Sequence, residues 1–315
     1  MRIVVTGGAS FIGSHLVEEL VKLEHEVIVV DNFSSGTRKN LQKVEDALIL
    51  ERDLHWYDQA VESIKGADLV YHLAAVHGGR EFIHFHELEC ADNFAINHNV
   101  LKASRECNVD KVIFTSSACV YPETYQLETD YRPLKEDDVD FYGCMQADKL
   151  YGWSKLMCEL ELQTMHRLYG YKSATARFFT AYGPREDNTH ALIALTERAL
   201  RKEDPYVMWG TGEQGRDWIY VDDLVQGLIK LQQVGDGSAY NFGSGKMITI
   251  NDAVEVIFEM TKFYPKEVKH DLSKPTGPHS RVGDITKAQK ELGWTPKVGL
   301  HEGLKNTIEY LRMKT

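Results

Sequence analysis

Tyr151-Gly-Trp-Ser-Lys155 sets a phenol and an ammonium four residues apart, on one face of a helix. A lysine ammonium beside a phenol stabilises the phenolate, lowering the phenol toward neutrality so that it can take the proton of an alcohol during hydride transfer. Alone, such a pair arises on many helices by chance. It gains weight from Ser116-Ser117-Ala118-Cys119-Val120-Tyr121-Pro122, at the end of an extended segment, where Ser117 can hold the same substrate hydroxyl.

A hydride needs an acceptor, and Thr6–Gly13 (TGGASFIG) is the candidate place for one. A phosphate-binding turn requires small residues so that backbone N–H groups can close on a pyrophosphate at a helix N-terminus. Gly7 and Gly13 are in place, while Ser10 stands at the middle glycine of the usual pattern and adds a Cβ where backbone and cofactor approach. Phe11 and Ile12 complete the turn. Asp31 ends the second extended run, 18 residues after Gly13. A carboxylate there accepts hydrogen bonds from the adenosine ribose hydroxyls and repels a 2′-phosphate, which favours NAD over NADP. Arg38 is the residue that keeps NADP in view. Asn32 after the second strand, Asp53 and Leu54 after the third, and Leu73, Ala74 and Ala75 after the fourth are further candidates for cofactor contacts.

The elements that must position these groups follow from the period of the apolar residues. Arg2–Thr6, Val27–Asp31, Asp68–Ala74, Lys111–Ser116 and Ser173–Phe178 read as buried strands, and Phe11–Leu23, Asn93–Glu106 and Tyr151–Tyr169 as helices. This alternation predicts an α/β fold, a doubly wound parallel-sheet Rossmann domain over 1–180. Beyond Gly183-Pro184, helical stretches (Ala191–Lys202, Leu224–Val234, Ile250–Thr261, Leu300–Arg312) alternate with Gly- and Pro-containing loops. They predict a smaller α/β substrate-binding domain over 181–315, some later segments of which return to the first.

Of the 315 residues, 43% are hydrophobic and 26% charged, as in ordinary soluble globular proteins. There is no run of about 18–20 apolar residues, so no membrane span is expected. The Met1 end enters a strand pattern without a charged-then-apolar leader, and the expected compartment is the cytoplasm. Five cysteines (Cys90, Cys107, Cys119, Cys144, Cys158) form no C-x-x-C pair and are expected to be free thiols. A net charge of −11 argues against nucleic acid as a partner. His84-Phe-His86-Glu87 with Cys90 fits no common zinc spacing, and no metal is expected.

TGGASFIG, HLAA, SSACVYP, YGWSK, RFFTAYGP, GRDWIYVDD and LGWTP together resemble the extended short-chain dehydrogenase/reductases of the NAD-dependent epimerase/dehydratase type, over essentially the whole chain. Members act on nucleoside-diphosphate sugars as epimerases, dehydratases, decarboxylases or reductases. The resemblance implies bound NAD, a nucleoside-diphosphate sugar as substrate, a homodimer built on the helices near 93–106 and 151–169, and Ser117, Tyr151 and Lys155 as the hydride-transfer set. It also implies that Arg216 and Arg281 grip the substrate diphosphate, a task suited to planar guanidinium forks. Gly78, Gly79, Thr180 and Arg198 are the further substrate-binding candidates. Thr180 replaces an asparagine usual in the family.

Within the family, HLAAVHGGREFI, SSACVYPE and QLET followed by LKEDD look like the GDP-mannose 3,5-epimerases, and Asn188-Thr189-His190 like the GDP-fucose synthases. Both carry a cysteine two residues after the catalytic serine, the place of Cys119. Oxidation of carbon 4 to a ketone acidifies the hydrogens on carbons 3 and 5, and inversion then needs an acid and a base. Thiol and imidazole, with ordinary pKa values of about 8.5 and 6.5, suit those roles, so Cys119 and His190 are the candidate pair. A UDP-sugar 4-epimerase or a 4-keto-sugar epimerase/reductase is the alternative. The stretch FYGCMQADKL before Tyr151 departs from the family pattern.

Overall fold

The computed structural model describes residues 1–44, 46–127, 131–141 and 147–314. Cys144, residues 128–129 of the QLET segment and residues 142–146 of the divergent stretch lie outside them.

The chain opens with β1 (Arg2–Thr6), α1 (Phe11–Lys22), β2 (Glu26–Asp31), β3 (Leu48–Glu51), α2 (Tyr57–Ile64), β4 (Leu69–His72), α3 (Arg80–Phe85), α4 (Glu87–Glu106), β5 (Lys111–Ser117), α5 (Lys149–Tyr169) and β6 (Lys172–Phe178). It continues through β7 (Thr180–Tyr182), α6 (Ala191–Leu200), β8 (Tyr206–Trp209), β9 (Gly215–Arg216), β10 (Trp218–Tyr220), α7 (Val221–Lys230) and β11 (Ala239–Phe242). It closes with β12 (Ile248–Thr249), α8 (Ile250–Thr261), β13 (Val268–Asp271), β14 (Ser280–Arg281), α9 (Thr286–Leu292) and α10 (Leu300–Lys314).

Seven strands form one parallel sheet in the order β11-β6-β5-β4-β1-β2-β3. Strands of such a sheet are covered on both faces, which is why their sequences are continuous β-branched runs. Ile3 and Val5 of β1 face Leu16, Val17 and Leu20 of α1 together with Leu224 and Leu228 of α7 and Trp294. Val4 faces the other way, toward Ala60 and Ile64 of α2, Val100 and Leu101 of α4, and Leu162 of α5. Each fully buried side chain of this kind contributes about 1.5–3 kcal/mol. β11, from the second half of the chain, is the edge strand beside β6.

Sheet order reverses at β1, which lies between β2 and β4, and such a switch point opens a crevice at the carboxyl ends of the strands. Thr6 fastens the crevice. Its Oγ1 accepts the N–H groups of Leu73 and Ala74, each at 3.2 Å, and lies 2.8 Å from His72 Nδ1.

The second half adds short pairings above that edge. β7 pairs with β10, β13 with β8, and β9 lies between β12 and β14. Tyr182, Leu192, Leu195, Tyr206, Trp218, Val254 and Leu304 build a separate apolar core there. Among the described residues, no helix is long and apolar enough to cross a membrane.

Candidate active site

The turn after β1 is shaped by two glycines. Gly7 has φ +67°, and a Cβ on it would stand 2.8 Å from the Ala74 nitrogen. A Cβ on Gly13 would stand 2.1 Å from the Gly7 carbonyl oxygen. Ser10 does not obstruct this turn. Its hydroxyl points back, donating to the Gly7 carbonyl at 2.6 Å and accepting from the Gly13 N–H, so it is the N-cap of α1. The free N–H groups at the start of α1 therefore remain available to an anion, and the cradle that a Cβ would fill fits a pyrophosphate.

Asp31 accepts the Ala9 N–H at 2.9 Å and the Phe33 N–H at 2.8 Å, which ties the end of β2 to the turn. Burial raises its carboxyl, and these hydrogen bonds work against the rise. Asn32 accepts the Ser34 N–H, and Asp53 accepts the His55 N–H at 3.0 Å. Leu54 is buried in the core beside α2. Arg38 is held by Glu51 at 2.8 Å and covers the Phe33 ring.

β5 and α5 deliver the hydride-transfer candidates. Tyr151 has a side-chain hydrogen bond with Ser117, and the Lys155 ammonium stands 5.8 Å from the Tyr151 ring centroid. The expected lowering of the phenol is not what the protein chain produces. Burial, reinforced by Cys119 and Cys90, pushes Tyr151 well above its ordinary value. Lys155 spends its charge elsewhere, donating to the Thr115 carbonyl at 2.8 Å, and burial brings it down to about 8.

Behind this set lies a fully enclosed ion pair, Arg177 on β6 with Glu159 on α5 at 2.7 Å. Glu159 also accepts from the Ser116 hydroxyl at 2.5 Å, and Arg177 donates to Tyr121 and to the Glu136 carbonyl. Helix α5, strand β5 and strand β6 are thereby locked in one register around Ser117.

The arginines come from paired short strands, with Arg281 of β14 opposite Arg216 of β9. Arg281 donates to Cys119 Sγ at 3.2 Å, to Gln126 Oε1 at 2.6 Å and to Asp148 Oδ2 at 3.0 Å. Arg80 completes the group, reaching both Asp148 oxygens at 2.9 and 2.7 Å. Arg216 is tied to the carbonyls of Gly215, Thr276 and Pro278. Burial, then Arg281 and Arg80, brings it down to about 9. Asp148 is enclosed, yet the two guanidinium groups outweigh burial and hold its carboxyl at about 2.

His190 precedes α6, with Nδ1 facing Glu186 and Asp187. Burial opposes its protonation, but the two carboxylates prevail and raise the imidazole above its ordinary value.

One cavity of about 750 Å³ gathers these parts. Ser10, Phe11, Ile12, Leu73 and Ala75 line one end. Ser117, Cys119, Tyr151, Lys155, Thr180 and His190 line its middle, together with Gly78, Gly79, Arg198, Arg216 and Arg281. Gly7, Gly13, Asp31, Asn32, Asp53, Leu54 and Ala74 stand outside its walls. Of these, Gly7, Gly13, Asp31 and Ala74 shape or brace the turn.

A sequence model described as the NAD dependent epimerase/dehydratase family matches residues 3–243. The chain belongs to that family. GDP-mannose 3,5-epimerase 1 of Oryza sativa subsp. japonica is 32% identical over 99% of this chain and 82% of its own length. The UDP-glucose 4-epimerase of Thermotoga maritima, solved with UDP-glucose, is 34% identical with a TM-score of 0.90, covering 100% of this chain and 99% of its own. The UDP-glucuronic acid 4-epimerase of Bacillus cereus, in complex with UDP-glucuronic acid and NAD, is 26% identical with a TM-score of 0.89 and full coverage of both chains. As a member of the epimerase/dehydratase family, this protein is an NAD-dependent enzyme with an extended short-chain dehydrogenase/reductase fold.

Sequence reading did not single out His77, Arg80, Asp148 or Glu186, all of which lie in or against the cavity. Their local signals were present: His77 and Arg80 flank the Gly78-Gly79 pair, and Glu186 follows Tyr182-Gly-Pro-Arg. Among the described residues, no group of three or more His, Cys, Asp or Glu is placed to hold a metal ion. His86 instead faces Glu89 and stacks on Phe82, and Cys90 is buried.

Proposed function

We propose that the enzyme is an epimerase of a nucleoside-diphosphate sugar, of GDP-mannose 3,5-epimerase type, working through a transient ketone at carbon 4. The observation that carries this reading is the contact of Arg281 with Cys119 Sγ at 3.2 Å, in the cavity that Ser117, Tyr151 and His190 share. A guanidinium donating to a sulfur stabilises the negative charge that a thiol develops as it gives up a proton. A cysteine serving only to fill core needs no such partner.

NAD, when bound, would supply a reversible acceptor for the hydride of carbon 4, with none consumed overall. Gly7, Ser10, Phe11, Ile12 and Gly13 form its pyrophosphate turn; Asp31 and Asn32 meet its ribose; and Asp53, Leu54, Leu73, Ala74 and Ala75 line the rest of its path. Tyr151 takes the proton of the carbon-4 hydroxyl, Ser117 orients that hydroxyl, and the Lys155 ammonium supports the charge. The ketone acidifies carbons 3 and 5, where Cys119 and His190 exchange protons from different walls. Arg216 and Arg281 hold the diphosphate, with Gly78, Gly79, Thr180 and Arg198 around the sugar. The outward faces of α4 and α5, which leave Phe94 and Met157 exposed, are the proposed homodimer surface.

A second reading, a UDP-sugar 4-epimerase, is favoured by the 34% identity with the Thermotoga enzyme. The two differ in whether carbon-bound hydrogen exchanges with solvent. Incubation with GDP-mannose, UDP-glucose and UDP-glucuronic acid in deuterium oxide should place deuterium at carbons 3 and 5 of a GDP sugar. Cys119→Ser and His190→Asn should lose that uptake while still reducing bound cofactor on addition of substrate. Turnover of any of these sugars without carbon-bound deuterium would establish the 4-epimerase instead.

A further inference from the structure

Two carboxyl groups stand against His190, and they differ. Asp187 is 58% exposed at the side chain, and its Oδ1 is occupied by the Thr189 N–H at 2.9 Å and hydroxyl at 2.5 Å. It lies 3.8 Å from His190 Nδ1. Glu186 is closer, with Oε1 at 3.3 Å from Nδ1, and only 4% exposed. Its other oxygen, Oε2, is buried without a hydrogen-bond partner, and the residue lines the cavity.

A buried carboxyl with an unmatched oxygen is a cost to the fold rather than a support of it. Its remaining polar contacts are a hydrogen bond from the Gly183 backbone and the approach to His190. Such an expense is expected where a group acts on a neighbour. Nε2 of His190 makes no hydrogen bond among the described residues, so the ring is held from its Nδ1 side, where the Thr189 hydroxyl also lies at 3.3 Å.

We infer that Glu186 is the positioning residue of His190: Oε1 holds the Nδ1 side of the ring, turns Nε2 toward the sugar and, together with Asp187, favours the charged imidazole so that it enters the reaction as an acid. This rests on the reading of His190 as a proton-exchange group. Asp187 hydrogen-bonds the same ring from the solvent side and pulls it toward the charged form. The loop after β4 brings His77 against the same imidazole, and Lys155 of α5 stands behind His77. Burial pushes Glu186 up to about 8, against a pull from His190.

The test is Glu186→Gln, which keeps the shape and removes the charge, with Asp187→Asn as its control. In Glu186→Gln, the His190 imidazole, followed by NMR of its ring C–H signals, should titrate at lower pH than in wild type. Deuterium uptake at one of the two sugar carbons should fall by roughly 10²-fold, with reduction of bound cofactor unchanged. Stability should respond in the opposite sense. A carboxyl raised in the fold contributes stability that is present below about 4.5 and lost as pH rises through about 8, so the Gln variant should gain in Tm on wild type across that window. Asp187→Asn removes the other carboxylate from the ring, so it should lower the His190 titration as well, while deuterium uptake falls by less than in Glu186→Gln. An unmoved His190 titration in Glu186→Gln, a Tm loss that does not vary with pH, or an Asp187→Asn variant that alone loses exchange would each overturn the inference. If wild type itself incorporates no carbon-bound deuterium, the proposed epimerisation fails, and the His190 titration still decides whether Glu186 positions the ring.

Discussion

Asp148→Asn probes the charge balance on which substrate binding depends. Asp148 shares its carboxylate between Arg80 and Arg281, at distances of 2.7 and 3.0 Å, and its side chain has no exposure. Its side chain does not cap α5, so the amide leaves the start of that helix intact. The carboxyl is held at about 2 against an ordinary 3.8. A shift of that size corresponds to about 2–3 kcal/mol, and breaking a buried pair by removing one partner costs about 3–5 kcal/mol. Glu123 offsets part of the loss: burial and the neighbouring Asp148 hold its carboxyl up, and it can ionise once Asp148 is gone. The expected destabilisation is therefore about 2–3 kcal/mol at pH 7. With an unfolding entropy of ~2.1 cal/mol/K per residue over 315 residues, Tm should fall by ~3–5 °C. A carboxyl lowered in the fold contributes stability present above about 3.8 and lost as pH falls through about 2, so the gap between the proteins should close in acid.

The functional part of this prediction is the rescue. If Arg80, Arg216 and Arg281 are the diphosphate cradle, a nucleoside diphosphate returns negative charge to the same place. Scanning calorimetry should then show GDP or UDP raising the Tm of Asp148→Asn by more than it raises that of wild type. Equal increments in the two proteins would refute the cradle. An unchanged Tm without ligand would refute the ion-pair argument on which it is built.

Two other outcomes are expected. Tyr151→Phe keeps the ring and removes the hydroxyl, so reduction of bound cofactor by substrate, read by absorbance, should slow by roughly 10²–10⁴-fold; wild-type rates would remove Tyr151 from the hydride step. NAD⁺ should bind at least about tenfold tighter than NADP⁺ by calorimetry, because Asp31, proposed to meet the ribose, would repel a 2′-phosphate and Arg38 is engaged by Glu51; equal affinities would mean that Arg38 leaves Glu51 for the phosphate.

What could be read in the sequence was whatever is decided locally. β1, the turn at Thr6–Gly13 and the Tyr151/Lys155 face of α5 are each specified within a dozen residues, by β-branched runs, small residues and helical spacing. The arginine–cysteine contact is not local: Cys119 and Arg281 are 162 positions apart and meet only because β14 pairs with β9. Those strands are two residues long, too short for any period to show. Ser10 illustrates a different gap. Composition shows a Cβ in the turn, but the direction of the hydroxyl is set by the Gly7 carbonyl, which only the folded turn places. The pull of Lys155 on Tyr151 was likewise expected from spacing, and the competing Thr115 carbonyl was invisible there.

Charge around the cavity is divided unevenly, and the division bears on the roles proposed for Cys119 and His190. Beside Cys119 stands a guanidinium, part of a set of three arginines faced by Asp148 and by Glu123, whose carboxyl burial and Asp148 hold up. Beside His190 stand two carboxyl groups and no arginine. Positive surroundings favour the deprotonated form of a thiol, and negative surroundings the protonated form of an imidazole. On the proposed chemistry, Cys119 is therefore the group that removes the first proton and His190 the group that delivers one. The same asymmetry explains why Arg281 belongs with the cysteine rather than with the diphosphate alone: it is the residue through which an anionic substrate, once bound, alters the charge felt at the sulfur.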